Sequence, residues 1–259
     1  MELGLGGRVA VVTGASRGIG LAVARALVAE GAHVVAAARN SSKELDELAE
    51  HGPVRTLLVD LATDDGPAEL MEFAGDRIDV LVNNVGSAPA RTGGFLSITD
   101  ADWNRSITLN LLSAVRATRA ALPAMLAAGQ GSIVTVCSVN ASLPDPLVLD
   151  YSAAKAALAA FCKGLSKEVG PKGIRVNTVS PGPVATDLWL GDGGVAASVS
   201  GATGASAQDV IDGAAGGSVT GRFSQPSEVA DLVLLLAGDR SANVTGADFR
   251  IDGGLITTW

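Results

Sequence analysis

Short apolar runs alternate with amphipathic stretches along the whole chain. The first run, residues 9–12 (Val-Ala-Val-Val), is followed by a glycine-containing turn and by helical spacing of apolar residues over 21–28. Buried parallel strands are continuous apolar runs of this length, whereas the helices that cover them place apolar residues three or four positions apart. The pattern therefore predicts a strand, a turn and a helix.

The same alternation continues to the C-terminal end. It predicts further strands over 32–38, 54–60, 79–83, 132–138, 174–179 and 247–251, with helices over 41–50, 66–74, 102–128, 151–169 and 227–237. Strands joined by helices form parallel sheets with right-handed crossovers. The predicted fold class is α/β: one doubly wound (Rossmann) domain over 1–259, with a mostly parallel seven-stranded sheet and helices on both faces.

Two segments depart from this regularity. Pro123 lies inside the predicted helix 102–128 and predicts a kink or break near that residue. Residues 191–221 are rich in Gly, Ala and Ser, and there only Ser206 and Asp209 have the spacing of a capping box that starts a short helix. Because this segment follows the sixth strand, we interpret 187–221 as a substrate lid; a flexible insertion is the alternative.

Composition excludes several classes of protein. The net charge of -8 argues against a nucleic-acid partner. The chain has no run of 18 apolar residues and no signal-like N-terminus, so we expect no membrane segment and a cytoplasmic protein. Cys137 and Cys162 lack disulfide-framework or metal-site spacing, and neither His33 nor His51 belongs to a hydrolase-type constellation. No metal site is predicted.

The turn after the first strand has the composition of a phosphate-binding loop. Residues 13–20 read Thr-Gly-Ala-Ser-Arg-Gly-Ile-Gly, with Gly14, Gly18 and Gly20 in Gly-x-x-x-Gly-x-Gly spacing. Glycine lets the backbone turn tightly and approach a ligand, and the unpaired N–H groups of the following helix can bind a pyrophosphate. A tight turn without a ligand is the alternative for this motif taken alone.

The end of the second strand indicates which dinucleotide is bound. NAD-binding sheets usually carry an acidic residue at this point for the ribose 2′-hydroxyl, but this chain has Arg39 followed by Asn40. Arg39 and Arg17 could form a charge-assisted clamp on a 2′-phosphate, which favours NADP(H) over NAD(H). A solvated Arg39 with no ligand is the alternative.

Tyr151 and Lys155 lie four residues apart, on one face of a predicted helix. A nearby ammonium favours the phenolate, so Lys155 is expected to lower the pKa of Tyr151 from its usual value of about 10. Ser138 ends the strand before this helix, and Asn110 is a polar residue in an apolar helical stretch. A surface pair is the alternative for Tyr151 and Lys155 taken alone.

Four motifs, in order, resemble those of the short-chain dehydrogenase/reductase family. They are the glycine turn (13–20), Asn-Asn-Val-Gly (83–86), Tyr-Ser-Ala-Ala-Lys (151–155) and Pro-Gly-Pro-Val-Ala-Thr (181–186). Val85 departs from the alanine usual in this family. The resemblance covers nearly the whole chain and is to NADP-preferring members similar to 3-oxoacyl-(acyl-carrier-protein) reductases.

The resemblance implies a catalytic tetrad of Asn110, Ser138, Tyr151 and Lys155. Ser138 would hydrogen-bond the substrate oxygen and Tyr151 would exchange a proton with it. Lys155 would bind the nicotinamide ribose, and the backbone carbonyl of Asn110 would hold a water molecule. The implied cofactor contacts are Gly14, Ser16, Arg17, Gly18, Ile19, Gly20, Arg39, Asn40, Asp60, Leu61, Asn84, Gly86, Tyr151, Lys155, Pro181, Gly182, Val184 and Thr186.

The implied function is NADP(H)-dependent interconversion of a ketone or 3-oxoacyl carbonyl and a secondary alcohol. The partners are a small-molecule carbonyl or alcohol substrate and further copies of the chain in a homotetramer. Leu188, Trp189 and Leu190 at the start of the lid indicate a partly apolar substrate. The alternatives are an NAD-linked alcohol dehydrogenase of the same family and a non-catalytic dinucleotide-sensing regulator; retention of all four tetrad positions argues against the regulator.

Overall fold

The computed structural model describes residues 2–258. Seven strands form one parallel sheet in the order β3-β2-β1-β4-β5-β6-β7. The strands are β1 (Val9–Thr13), β2 (His33–Ala38), β3 (Val54–Leu58), β4 (Val80–Asn83), β5 (Gly131–Val136), β6 (Ile174–Pro181) and β7 (Asp248–Ile251). The predicted α/β class and its seven strands are confirmed, and the pairings are all parallel.

Ten α-helices lie within the described residues. They are α1 (Gly18–Ala29), α2 (Lys43–His51), α3 (Gly66–Ala74), α4 (Asp100–Ile107), α5 (Ser113–Ala128), α6 (Leu149–Val169), α7 (Asp187–Leu190), α8 (Val195–Thr203), α9 (Ala207–Gly216) and α10 (Pro226–Ala237). The helices cover both faces of the sheet, because side chains alternate along each strand. Val12 packs with α1 and α10 on one face, while Val11 packs with α3, α5 and α6 on the other.

The order of the strands in the sheet reverses at β1. This strand pairs with β2 on one side and with β4 on the other, so the chain segments that follow β1 and β4 lead to opposite sides of the sheet from the carboxyl ends of these strands. In open α/β sheets such a switch point forms the crevice in which ligands bind. The glycine turn and the Asn-Asn-Val-Gly segment both lie at this crevice.

The predicted helix over 102–128 is interrupted, but not at Pro123. α5 continues through Pro123, and the irregular hydrogen bonding falls instead at a π-helical turn, Thr108–Leu112, between α4 and α5. The prediction of a break near Pro123 is therefore wrong. The π-turn contains Asn110, whose buried side chain bonds to a neighbouring loop, and π-turns inside helices often occur at functional positions.

Within residues 2–258, one helical run, Asp100–Ala128, is long and apolar enough by length and composition to cross a membrane. Its inner face packs against the sheet: Ala117, Ala121 and Met125 are buried in the same cluster as Leu81 and Ile133 of β4 and β5. The run therefore serves as a core helix of this fold.

The predicted lid segment is more regular than its composition suggested. Its predicted capping box is confirmed, because Ser206 Oγ accepts from Asp209 N at 3.1 Å and Asp209 Oδ2 accepts from Ser206 N at 3.3 Å at the start of α9. α7 and α8 were not predicted, since α7 is a single turn of four residues and the alanine, serine and glycine of α8 give little apolar periodicity. Trp189 of α7 packs edge-on against Phe223, with ring centroids 5.2 Å apart.

Candidate active site

The turn between β1 and α1 requires glycine. Gly14 and Gly18 have φ of +67° and +56°, a left-handed conformation that favours glycine. A Cβ on Gly20 would lie 2.2 Å from the carbonyl oxygen of Gly14, so the turn and the first turn of α1 are in direct backbone contact. Among the described residues, no side chain caps α1 and its first turn holds no acidic residue. The helix start is thus suited to a phosphate.

Asn84 fixes the end of β4 to this turn. Its Nδ2 donates to the carbonyl oxygens of Thr13 at 3.0 Å and Gly14 at 3.2 Å, while its backbone N–H donates to Thr13 Oγ1 at 2.8 Å. The neighbouring Asn83 points into the core and donates to Thr118 Oγ1 at 3.0 Å. Asn84 therefore ties the end of β4 to the glycine turn, and Asn83 ties it to α5.

The predicted cation clamp is exposed, and one of its members has another contact. Arg39 and Asn40 are exposed at the end of β2, and Arg17 forms an ion pair with Asp187 at 3.7 Å. Both partners of that pair are largely solvent-exposed, so it is weak and easily exchanged for a ligand contact. Asp60 is exposed beyond β3 and accepts from Ala62 N at 2.9 Å, with the buried Leu61 between them.

Sequence reasoning missed Ser42 in this region. Ser42 accepts from Leu45 N as the N-cap of α2, and its hydroxyl donates to the carbonyl oxygen of Ser16 at 2.6 Å. This bond brings the start of α2 against the glycine turn, beside Arg39. The available signal was a serine three positions before the first apolar residue of a predicted helix, which is typical of an N-cap.

Ser138 and Tyr151 are brought together at the carboxyl edge of the sheet. Ser138 is buried just beyond β5, and Tyr151 is half-buried in the first turns of α6. Burial raises the pKa of Tyr151 to about 12, and a hydrogen bond with the Ser138 side chain partly offsets that rise. In the chain alone the shift is therefore opposite to the predicted lowering, because desolvation of the phenolate outweighs the favourable contacts.

Lys155 lies beside this pair in the protein interior. Its side chain is buried, its Nζ donates to the carbonyl oxygen of Val136 at 2.9 Å, and Nζ is 5.8 Å from the centre of the Tyr151 ring. Burial lowers the pKa of Lys155. A Cβ on Gly86 would lie 3.5 Å from Nζ, so the backbone after β4 passes directly over the ammonium.

Asn110 holds the loop that carries Gly86. Its Oδ1 accepts from Ser87 N and its Nδ2 donates to Ser87 O, both at 3.0 Å. A Cβ on Gly86 would lie 2.8 Å from Asn110 Oδ1. The sequence analysis assigned a role to the backbone carbonyl of Asn110, whereas the structure adds a side-chain contact that positions this loop.

The segment after β6 lies across the crevice. Gly182 N donates to Ile251 O at 3.0 Å, and a Cβ on Gly182 would lie 3.0 Å from Asp252 Cα. Pro181 and Val184 are buried. Thr186 lies against the glycine turn, since its Cγ2 would be 3.2 Å from a Cβ on Gly18. The crevice is therefore bounded by three of the predicted motifs.

A glycine turn at a switch point, with a buried lysine, a phenol and a serine hydroxyl at the same sheet edge, is the construction of a dinucleotide-dependent α/β enzyme. Residues 14–256 match the sequence model of the family described as enoyl-(acyl carrier protein) reductase. The chain belongs to the short-chain dehydrogenase/reductase family, an oxidoreductase family, as the sequence predicted.

Relatives in this family match over nearly their full length. The 3-oxoacyl-(acyl-carrier-protein) reductase FabG of Salmonella typhimurium is 35% identical over 253 residues, covering 96% of this chain and 97% of the relative. The acetoacetyl-CoA reductase of Cupriavidus necator is 34% identical, covering 96% and 98%. Among solved structures, L-sorbose reductase from Gluconobacter frateurii, complexed with NADPH and L-sorbose, has a TM-score of 0.89 at 34% identity and 100% coverage of both chains.

Proposed function

We propose that this chain is an NADP(H)-dependent reductase that converts a ketone into a secondary alcohol, with Tyr151 as the proton donor. The observation that carries the proposal is the juxtaposition of Ser138, Tyr151 and buried Lys155 at the carboxyl edge of the sheet. The chemistry of similar proteins supports it, since FabG, the acetoacetyl-CoA reductase and the L-sorbose reductase are all named as reductases of carbonyl compounds.

The residues present fit NADP(H). Gly14, Gly18 and Gly20 form a cradle that a Cβ would fill, and the uncapped start of α1 faces it. Arg39 and Arg17 would contact the 2′-phosphate, and residues 38–40 hold no carboxylate to repel it. In addition, the L-sorbose reductase structure is described as an NADPH complex.

When bound, NADPH supplies the hydride that reaches the carbonyl carbon. Ser138 would donate a hydrogen bond to the carbonyl oxygen and orient it, while Tyr151 would transfer its phenolic proton to that oxygen. Tyr151 carries its phenolic proton at neutral pH, as a donor in the reductive direction must. Lys155, close to the ring, would stabilise the phenolate that remains.

Gly86 and Asn110 complete the site from the side of β4. By holding Ser87, the Asn110 side chain keeps the glycine backbone close to Lys155, so that the ribose of the dinucleotide could approach the ammonium. We further propose that the backbone carbonyl of Asn110 holds the water molecule through which Tyr151 is reprotonated. Val184 and Thr186 would meet the nicotinamide carboxamide.

The substrate is proposed to be small and uncharged rather than a carrier-bound anion. The proposed lid (187–221) contains four aspartates and no lysine or arginine: Asp187, Asp192, Asp209 and Asp212. Such a segment repels the phosphates of coenzyme A. Its first helix instead offers apolar surface, with Leu188 and Leu190 each more than 40% exposed.

A comparison of thioesters tests this proposal. We expect NADPH consumption with L-sorbose or simple ketones, and a higher kcat/KM for an uncharged N-acetylcysteamine thioester of acetoacetate than for acetoacetyl-CoA. Added salt should reduce that difference, because it screens exposed charges. No turnover of any ketone would contradict the reductase itself, whereas a preference for acetoacetyl-CoA at low salt would contradict only the substrate class.

We also propose a cytoplasmic homotetramer. Leu109, Leu112 and Val115 in the run Asp100–Ala128 are only partly buried within one chain, which leaves apolar helical surface for a second copy. Both cysteines are free and buried, which is consistent with a reducing compartment.

A further inference from the structure

Arg91 joins three segments around the candidate active site. It lies in the loop between β4 and α4, and its backbone N–H donates to Leu147 O at 2.7 Å, just before α6. Its guanidinium reaches Asp150 in the first turn of α6 and Asp102 in the first turn of α4. The loop that leaves the cofactor edge at Gly86 is thus tied to both helices.

The contact between Arg91 and Asp150 is bidentate and buried. Arg91 Nε donates to Asp150 Oδ1 at 3.2 Å, and Arg91 Nη2 donates to Asp150 Oδ2 at 2.5 Å. The side chain of Asp150 is 0% exposed and that of Arg91 only 15%. Two parallel bonds from a planar guanidinium fix the orientation of a carboxylate as well as its position, which a lysine ammonium does not.

Asp102 is the second carboxylate that binds Arg91. Arg91 Nη1 donates to Asp102 Oδ1 at 3.2 Å, while Asp102 Oδ2 accepts from the backbone N–H of Thr99 at 3.1 Å in the capping box of α4. Hydrogen bonds from Thr99 lower the pKa of Asp102, and the hydrogen bond with Asp150 raises the pKa of Arg91. Both shifts favour the charged forms of Asp102 and Arg91, and the guanidinium is held from two sides.

Asp150 immediately precedes Tyr151 in α6. We propose that Arg91 is a positioning residue for Tyr151: by clamping Asp150, it fixes the rotation and depth of the first turn of α6, and with them the direction of the phenol. This inference rests on the acid role proposed above for Tyr151. Arg91 acts through Asp150 and makes no contact with the reacting atoms, so it controls the rate of proton transfer rather than the binding of the dinucleotide.

The test uses Arg91→Lys, Arg91→Ala and Asp150→Asn in the full-length enzyme with NADPH and its best ketone substrate. We expect kcat to fall by about 10- to 100-fold, since a misplacement of about 1 Å costs on the order of 100-fold in rate. The dissociation constant of NADPH, read from its fluorescence, should stay within about twofold. The isotope effect with deuterated NADPH should persist, because the chemical step is the one slowed.

Chemical rescue separates positioning from a general loss of structure. Millimolar guanidinium should restore part of the kcat of Arg91→Ala, because it can replace the missing guanidinium group of Arg91. It should not restore the kcat of Tyr151→Phe. Arg8→Lys is the control, since Arg8 Nη2 donates to both carboxylate oxygens of Asp239 at the opposite edge of the sheet. Its kcat should remain at the wild-type value even where its thermal unfolding midpoint falls.

Two results would overturn the proposal. One is a kcat within twofold of wild type in folded Arg91→Lys and Asp150→Asn. These substitutions are conservative, so their kcat can be measured even if Arg91→Ala does not fold. The other is a parallel loss of kcat, NADPH affinity and thermal stability without rescue. Full turnover in Tyr151→Phe would instead remove the acid role on which the inference rests, irrespective of Arg91.

Discussion

Tyr151 is the only tyrosine in the chain, so its ionisation can be followed by ultraviolet absorbance without a label. Its surroundings shift its pKa in opposite directions: burial disfavours the phenolate and raises the pKa, whereas the hydrogen bond with Ser138 favours the phenolate and lowers it. Burial dominates in the chain alone, and the phenol therefore retains its proton at neutral pH.

An absorbance titration after a rapid pH jump, read before unfolding, should give a midpoint near 12 for the folded chain without nucleotide. The sign follows from burial, which penalises the charged form and moves the pKa of a phenol above its usual value of about 10. Ser138→Ala should move the midpoint higher still, because it removes the one favourable bond. A midpoint at or below 10 in the wild type would contradict this account of the site.

Replacing the phenol tests its role in catalysis. Tyr151→Phe should lower kcat by a factor of about 100 to 10,000, the range typical of a lost general acid. NADPH affinity should change little, because the ring remains and only the hydroxyl is removed. Fluorescence titration provides the binding control, and near-normal turnover would rule out Tyr151 as the proton donor.

Arg39→Asp tests the choice of cofactor. The variant replaces an exposed cation with the carboxylate typical of NAD-binding sheets, so KM for NADPH should rise by about 10- to 100-fold, as expected for loss of a charged hydrogen bond. KM for NADH should rise far less. Arg240→Asp, the same charge change at an exposed residue on the opposite edge, is the control. Equal effects of Arg39→Asp on both cofactors would refute the assignment.

Single residues were predictable where a motif fixes their type and spacing, and not where their partners are distant in sequence. Ser138, Tyr151 and Lys155 were located by their spacing together with the family resemblance, and they lie at one edge of the sheet. The partners of Arg91 lie 11 and 59 residues away in the chain. The pKa of Tyr151 depends on how deeply α6 is packed, which a sequence does not contain.

At the scale of the element, the glycine turn is the part of the fold that tolerates an added side chain least. Three glycines place the backbone of α1 against β1, and Asn84 then bonds to the turn from β4. A Cβ at Gly20 would meet the backbone of Gly14, whereas a Cβ at Gly14 or Gly18 would meet the side chain of Asn84 or Thr186 on a left-handed backbone. The turn therefore couples cofactor binding to folding.

Gly20→Ala should show this coupling. The added methyl would lie 2.2 Å from the carbonyl oxygen of Gly14, so the turn must open, at a cost of about 1–3 kcal/mol in the free energy of unfolding. NADPH affinity should fall with it. Gly213→Ala is the matched control, because its Cβ would meet nothing within 4 Å inside α9. Equal stability of the two variants in denaturant unfolding would contradict the close approach.

Strands and most helices were predictable, because a buried parallel strand is a continuous apolar run and the helix that covers it has apolar residues three or four positions apart. Two kinds of element were not. The π-turn at Thr108–Leu112 contains Asn110, whose bonds with Ser87 are a tertiary contact that the apolar pattern of one helix does not contain. α7 is too short to show a periodic pattern, and the small residues of α8 carry none.

At the scale of the whole molecule, the apolar surface of Asp100–Ala128 bears on assembly. Multi-angle light scattering should give a mass close to four times that of the 25.9 kDa chain. The partly buried side chains of Leu109, Leu112 and Val115 would lose contact with water if a second copy covered this surface. A monomeric mass at micromolar concentration would contradict the proposed tetramer.

The strand order also has a consequence for synthesis on the ribosome. β1, β2 and β3 emerge first and pair in that order, after which β4, β5, β6 and β7 add one after another beyond the other side of β1. Each nascent strand finds an open edge waiting for it, and none has to be threaded between two others. The sheet can therefore grow vectorially, and stalled chains that end after β4 already contain the crevice between the glycine turn and Asn84.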